Sequence, residues 1–136
     1  MTFTVTHVPA NHAACLIHIG VVSGDEIRAS RLELKAVANA NSVRGAIIDI
    51  TDASIEAPPV EIIDNVQGLV DDLLPGTKLG FVGRAEDQET VSMIVATVAH
   101  SLGRKVGQFH DRETALCWIR LDWTSAAACN CLPITE

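Results

Sequence analysis

The chain has no tyrosine, three phenylalanines and two tryptophans, so aromatic residues make up only 4% of it. Any core must be built from Ile, Val, Leu and Ala, and the sequence is 48% hydrophobic, enough to build one. Basic residues are also scarce: 10 Lys and Arg face 17 Asp and Glu, for a net charge of −7. A chain without clustered Lys and Arg is poorly equipped to neutralise phosphates, which argues against nucleic acid. The same deficit argues against anionic lipid surfaces, and a basic partner fits the charge better. No run of eighteen apolar residues occurs, so no helical membrane span is expected. The opening Met1-Thr-Phe-Thr-Val-Thr-His lacks the basic and apolar regions of a signal peptide, and a cytoplasmic setting is expected. Cys15, Cys117, Cys129 and Cys131 are not arranged as a secreted disulfide framework, so reduced thiols are expected.

The 136 residues fit a single domain over 1–123, followed by a loose, non-periodic tail over 124–136. Residues 2–8 alternate as a half-buried strand, and Pro9-Ala10-Asn11 turns the chain into a second strand over Ala14 to Val22. Ser23-Gly24-Asp25-Glu26 starts a helix, with acids near the positive end of its dipole. Its apolar stripe is Ile27, Leu34, Val37 and Ala38, and Arg28, Arg31, Glu33 and Lys35 are read as facing water. The apolar run Gly45 to Thr51 suits a central strand covered on both faces. Pro58-Pro59 opens a second helix whose Ile62, Ile63, Val66, Leu69, Val70 and Leu73 recur at helical spacing until Pro75-Gly76 stops it. Lys78 to Val82 is a strand, Glu89 to Leu102 a helix, Val106 to Phe109 a short strand and Asp111 the cap of a last helix. The order β-β-α-β-α-β-α-β-α predicts an α/β fold: a mixed, mostly parallel five-stranded sheet with about four helices and right-handed crossovers.

Three segments resemble the SpoIIAA-like (STAS-type) family, named for sulfate transporters and anti-sigma-factor antagonists. They are Gly20-Val-Val-Ser-Gly-Asp-Glu, Ala46-Ile-Ile-Asp-Ile-Thr-Asp, and Val106-Gly-Gln-Phe-His-Asp-Arg-Glu-Thr-Ala-Leu-Cys-Trp-Ile119. The resemblance covers roughly residues 2–122. It implies a SpoIIAA-like fold and a binding or regulatory role. In the antagonist branch a phosphorylatable serine starts the helix after the central strand, and Pro58 and Pro59 stand there instead. Thr51 and Ser54 are nearby hydroxyls off that position. The departure fits the looser branch that is compared with SEC14-type lipid carriers.

No catalytic set stands out, and neither a cofactor nor a metal is expected. Cys15 and His18 are three apart on a strand and point to opposite faces, which prevents a shared metal. They read as a core thiol and a partly exposed imidazole. Cys129-Asn-Cys131 has no second pair at zinc-ribbon spacing. His110-Asp111 is explained by Asp111 as a helix cap, and His100 falls off the apolar stripe of its helix. Gly80-Phe-Val-Gly83 lacks the phosphate-loop fingerprint. Asp49 and Asp52 bracket the end of the central strand, where α/β sheets place ligands.

Between Arg44 and Lys78 there is no basic residue, while Asp49, Asp52, Glu56, Glu61, Asp64, Asp71 and Asp72 all fall in that span. The expectation is therefore a non-enzymatic module that docks a basic protein through the Thr51–Asp72 turn and acidic helix. Its contact residues would be Thr51, Asp52, Ser54, Glu61, Asp64, Asp71 and Asp72, and in STAS-type antagonists this region is the partner surface. The alternative is a carrier of a small molecule or lipid, with an apolar pocket between sheet and helices near Asp49 and Asp52. A homodimer through Phe3, Trp118, Trp123 and the first strand is also expected.

Overall fold

The computed structural model describes residues 3–84 and 88–120. The expectations for Trp123, for Cys129 and Cys131 and for the tail from residue 124 fall outside these residues. Five strands form one sheet: β1 (Phe3–Val8), β2 (Ala13–Val22), β3 (Gly45–Ile55), β4 (Lys78–Val82) and β5 (Val106–Phe109). Four helices accompany them: α1 (Gly24–Ala40), α2 (Pro59–Asp72), α3 (Glu89–Ser101) and α4 (Arg112–Arg120). The spatial order is β1-β2-β3-β4-β5. β1 runs antiparallel to β2, and every other pair is parallel. This is the mixed, mostly parallel five-stranded α/β architecture that the element order predicts.

Repeated right-handed crossovers in one direction put successive helices on one face, and α1, α2 and α3 pack side by side there. On that face Leu16, Ala46 and Leu79 meet Leu34, Val66, Leu69 and Val95. The other face is covered by α4, whose Ala115, Trp118 and Ile119 press on Ala13, Cys15, Ile47, Val82 and Phe109. At Gly45, an added Cβ would fall 2.6–2.7 Å from three side-chain atoms of Ile119. Only glycine lets α4 lie this close to β3. Trp118 is 5% exposed, and Phe3 is half-buried against the α1–α3 core. Among the described residues the rings of Phe81, Phe109 and Trp118 are buried.

The helix ends behave as their residues dictate. The Ser23 hydroxyl accepts from the Glu26 N–H at 3.3 Å, with Asp25 and Glu26 in the first turn of α1. Asp111 Oδ1 accepts from the Thr114 N–H and hydroxyl, which caps α4 and holds the Asp111 carboxyl below its usual range. At the end of α2 the Arg104 guanidinium donates to the carbonyls of Val70, Leu73, Leu74 and Thr77, of which Leu74 also accepts from the Thr77 N–H and hydroxyl.

Two readings of the sequence need correction. β3 does not end at Thr51 but continues to Ile55, so Thr51, Asp52 and Ser54 lie on a strand rather than in a turn. The reason is a bulge. Ile17 pairs with Asp49 and Ile19 with Asp52, so β3 fits one extra residue against β2. Arg31 does not face water either. It is half-buried against α2, where a Cβ at Gly68 would fall on its guanidinium.

Candidate functional site

Strand alternation decides what faces α1–α3. Leu16 and His18 of β2 and Ile48 and Ile50 of β3 point to that side, as do Ile55 and Phe81. Between them and the helices lies a cleft of about 70 Å3, room for roughly five waters. From the helices Ile27, Ser30 and Arg31 of α1, Ile62, Asn65 and Val66 of α2, and Val91 of α3 complete much of its wall. The cleft sits over the carboxyl-terminal half of the parallel strands, the end at which open α/β sheets bind ligands.

Four polar side chains interrupt this apolar lining: His18, Ser30, Arg31 and Asn65. His18 is 3% exposed and Ser30 1% exposed. The Ser30 hydroxyl donates to the Ile27 carbonyl at 2.9 Å, so it accepts from His18 Nε2–H, also at 2.9 Å. That assigns the tautomer and leaves Nδ1 as a bare acceptor. His18 Nδ1 and Arg31 Nε are buried and have no hydrogen-bond partner among the described residues. A buried polar atom without a partner costs about 1–3 kcal/mol, and native proteins carry few of them. Both belong to residues that line the same cleft, which marks it out from the rest of the interior.

The His18–Ser30 pair resembles a base and nucleophile in distance only. The hydroxyl proton goes to a carbonyl, and no carboxylate orients Nδ1 among the described residues. Burial holds the His18 imidazole below its ordinary value of 6.5, with Glu26 opposing the shift. The folded chain thus binds this proton more weakly than the unfolded chain. Above pH 6.5 both forms are neutral and the full stability is present. Below it the unfolded chain protonates first, and stability falls by up to about 1.4 kcal/mol per pH unit until the folded imidazole also titrates. Urea unfolding between about pH 7.5 and pH 5 is expected to show this loss, and His18→Asn should flatten its slope. The same slope in the variant would mean that His18 is not its source.

The sequence-predicted residues are distributed differently. Cys15 is buried beneath α4, away from His18 as the alternation requires, and burial pushes its thiol up to about 11. His18, read as partly exposed, is buried instead because Ser30 of α1 gives its ring a partner inside the core. Asp49 and Asp52 line an open depression on the α4 face, with Thr51, His110, Asp111 and Arg112 around them. They are not near the apolar cleft, which opens on the opposite face. Asp49 is occupied: its Oδ1 accepts from the Thr51 N–H and hydroxyl, and its Oδ2 lies 3.0 Å from Arg112 Nε. Ser54 is exposed.

The acidic residues of α2 lie on its outer side, on the other face from Thr51 and Asp52, so the expected docking surface divides in two. Glu61, Asp64 and Asp71 are exposed. Asp72 is 3.6 Å from Lys35, Asp71 acts on Arg104, and the Glu61 carboxylate lies over Gly24 at the start of α1. Sequence reasoning missed Ser30, Arg31 and Asn65. The available signal was parity: the alternation that separates Cys15 from His18 also puts His18 beside Leu16 on the core side. Ser30 then follows Ile27 and precedes Leu34 on the inner stripe of α1. Among the described residues no group of three or more His, Cys, Asp or Glu could hold a metal ion, and no helix is long and apolar enough to cross a membrane. No protein-family model matches the chain, and no curated protein matches it.

Proposed function

We propose that this domain is a non-enzymatic binding module that takes a small, largely apolar molecule into the cleft between the sheet and α1–α3. The observation that carries the reading is an apolar cleft at the carboxyl ends of the strands, two of whose lining residues, His18 and Arg31, each hold a buried polar atom without a partner. Ligand sites are typically such concave apolar spaces with a few fixed polar groups. At about 70 Å3 the cleft suits a molecule of a few carbon atoms rather than a long-chain lipid. The succession of strands and helices supports the SpoIIAA-like kinship suggested by the motifs. Cys15 is a free, buried thiol, but Cys117 is disulfide-bonded, so the reduced thiols expected from the sequence hold for Cys15 and not for Cys117.

The test is a methyl-NMR titration with a panel of four- to six-carbon compounds bearing different polar heads. A binder should shift the methyl signals of Ile48, Ile50, Ile62 and Val66 together. At a concentration a hundredfold above its Kd it should add about 2.7 kcal/mol of stability. Val91→Phe, which places a ring at the cleft wall, is expected to abolish both effects. Shifts confined to other parts of the molecule, or none with any compound, would remove the proposal.

Docking of a basic protein on the outer side of α2 is the second reading. It is favoured by exposed Glu61, Asp64 and Asp71 beside Val60, which is 60% exposed. This surface keeps the α2 acids and drops Thr51, Asp52 and Ser54.

A further inference from the structure

Resting on that binding reading, a narrower ligand class comes from the chemistry of the two orphaned atoms. Arg31 Nε is a donor on a guanidinium that stays charged at any ordinary pH. No carboxylate lines the cleft, and no ion pair is formed by Arg31 among the described residues. A half-buried cation in an apolar wall favours an anionic occupant. His18 Nδ1 offers only a lone pair, because Nε2–H is committed to Ser30. A bare carboxylate would oppose this lone pair with its own. A single proton removes the conflict, whether it stays on the carboxyl oxygen and is donated to Nδ1 or rests on Nδ1 and is donated to the carboxylate. A carboxyl group plus one proton therefore supplies both the acceptor Arg31 needs and the donor His18 needs. An alcohol or amide could meet both atoms as well, but it brings no charge to balance the guanidinium.

We infer that the cleft takes a short aliphatic carboxylic acid, its carboxyl group answering Arg31 Nε and His18 Nδ1 and entering together with one proton. The hydrocarbon part lies among Ile48, Ile50, Ile62 and Val66, and the size of the cleft limits it to roughly four to six carbons. The charged group that acts on His18 is Glu26 of α1, which favours the protonated ring, and Arg31 of the same helix shares the cleft. The lining contributed by β3, β4, α2 and α3 carries no titratable side chain, and Asn65 is its one polar residue. From β1, the Phe3 ring lies 5.8 Å from the imidazole. Free His18 is neutral at pH 7 and the free acid is ionised, so the proton is drawn from solvent on binding.

The test is isothermal titration calorimetry of the full chain with butanoate, 1-butanol and butanamide, run near neutral pH in two buffers of different ionisation enthalpy. Butanoate is expected to bind at least tenfold tighter than the other two, with uptake of close to one proton. Its affinity should fall about tenfold per pH unit above neutrality. Arg31→Met should weaken butanoate at least tenfold and leave 1-butanol nearly unchanged. His18→Asn should abolish the proton uptake. If Arg31→Met fails to fold, the proton count on the unaltered chain decides. Equal or tighter binding of the alcohol or amide, or butanoate binding without proton uptake, would overturn the acid assignment and leave the cleft reading intact. No binding of any of the three, with no shift of the cleft methyl signals, would take both away.

Discussion

Trp118→Ala is expected to cost about 3–5 kcal/mol, the range for removing a large aromatic from a core. Trp118 is 5% exposed and its ring lies 5.3 Å from that of Phe109 at 51°. Lys78 Nζ sits 5.1 Å from the indole centroid and donates to the Trp118 carbonyl at 2.9 Å. The indole thus joins β4, β5 and α4, and α4 has nine residues with three fully inward side chains. A helix this short owes its stability to packing rather than to its own hydrogen bonds, so losing the ring should loosen the whole element. Relative to a typical total of 5–15 kcal/mol, the loss is severe. Urea denaturation should report it directly, and thermal melting should show a fall of roughly 10–20 °C. Trp118→Phe, which keeps an aromatic against Phe109, should lose less than half as much. A loss below about 1 kcal/mol for the alanine variant would mean that α4 does not hold the second face of the sheet.

Gln88→Leu is the other substitution with a large expected effect, about 2–4 kcal/mol. Gln88 is 5% exposed and precedes α3. Its Nε2 donates to the carbonyls of Ile50 at 2.6 Å and Ala53 at 3.0 Å, and its Oε1 accepts from the Arg84 N–H at 2.6 Å. These carbonyls flank the β3 bulge, and one side chain takes the place of the ladder bonds that the bulge interrupts. Gly83 belongs to the same arrangement, since a Cβ there would fall 2.6 Å from Gln88 Oε1. With leucine at 88, the Ala53 carbonyl keeps Arg84 Nη2 at 3.1 Å, but the Ile50 carbonyl and the Arg84 N–H lose the partner that Gln88 gave them. Ile50 lines the cleft, so the substitution should also weaken any ligand that binds there. Amide exchange should quicken in residues 50–55 well before the rest of the sheet. Unchanged exchange in that segment would show that the bulge is held by something else.

The sequence carried the architecture because its signals were local. Strand alternation in β1, the apolar run of β3, the helical spacing of Ile62 to Leu73 and the Pro58-Pro59 start each depend on residues a few positions apart. The bulge was not legible in the same way. It depends on Gln88, 38 residues beyond Ile50, and nothing near Thr51 announces a side chain arriving from so far along the chain. The cleft was half legible. Parity put His18 on the core face, but its burial needed Ser30 from α1, and the orphaning of Arg31 Nε needed α2 to bring Gly68 under the guanidinium. Asp49 and Asp52 were expected to bracket the end of β3, but the strand runs on to Ile55, and their face follows from the bulge and from the position of α4. Charge counting along the sequence also could not separate the α2 acids. Asp72 meets Lys35 of α1, and Asp71 is near Arg104.

Each strand of the sheet lies beside its immediate predecessor in the chain, and this has a consequence for how the molecule is made. During synthesis every new strand can join an edge that already exists, with only one intervening helix of chain to close. No strand has to be inserted between two others. The covering of the two faces is not equally prompt. α1, α2 and α3 arrive in step with the strands they protect, whereas the opposite side, with Ala13, Cys15, Ile47, Val82 and Phe109, stays bare until residues 112–120 emerge. A nascent chain therefore exposes a nearly complete apolar sheet face until α4 emerges, the type of surface that invites aggregation. A ribosome paused shortly before Arg112 would hold the protein in its most adhesive state.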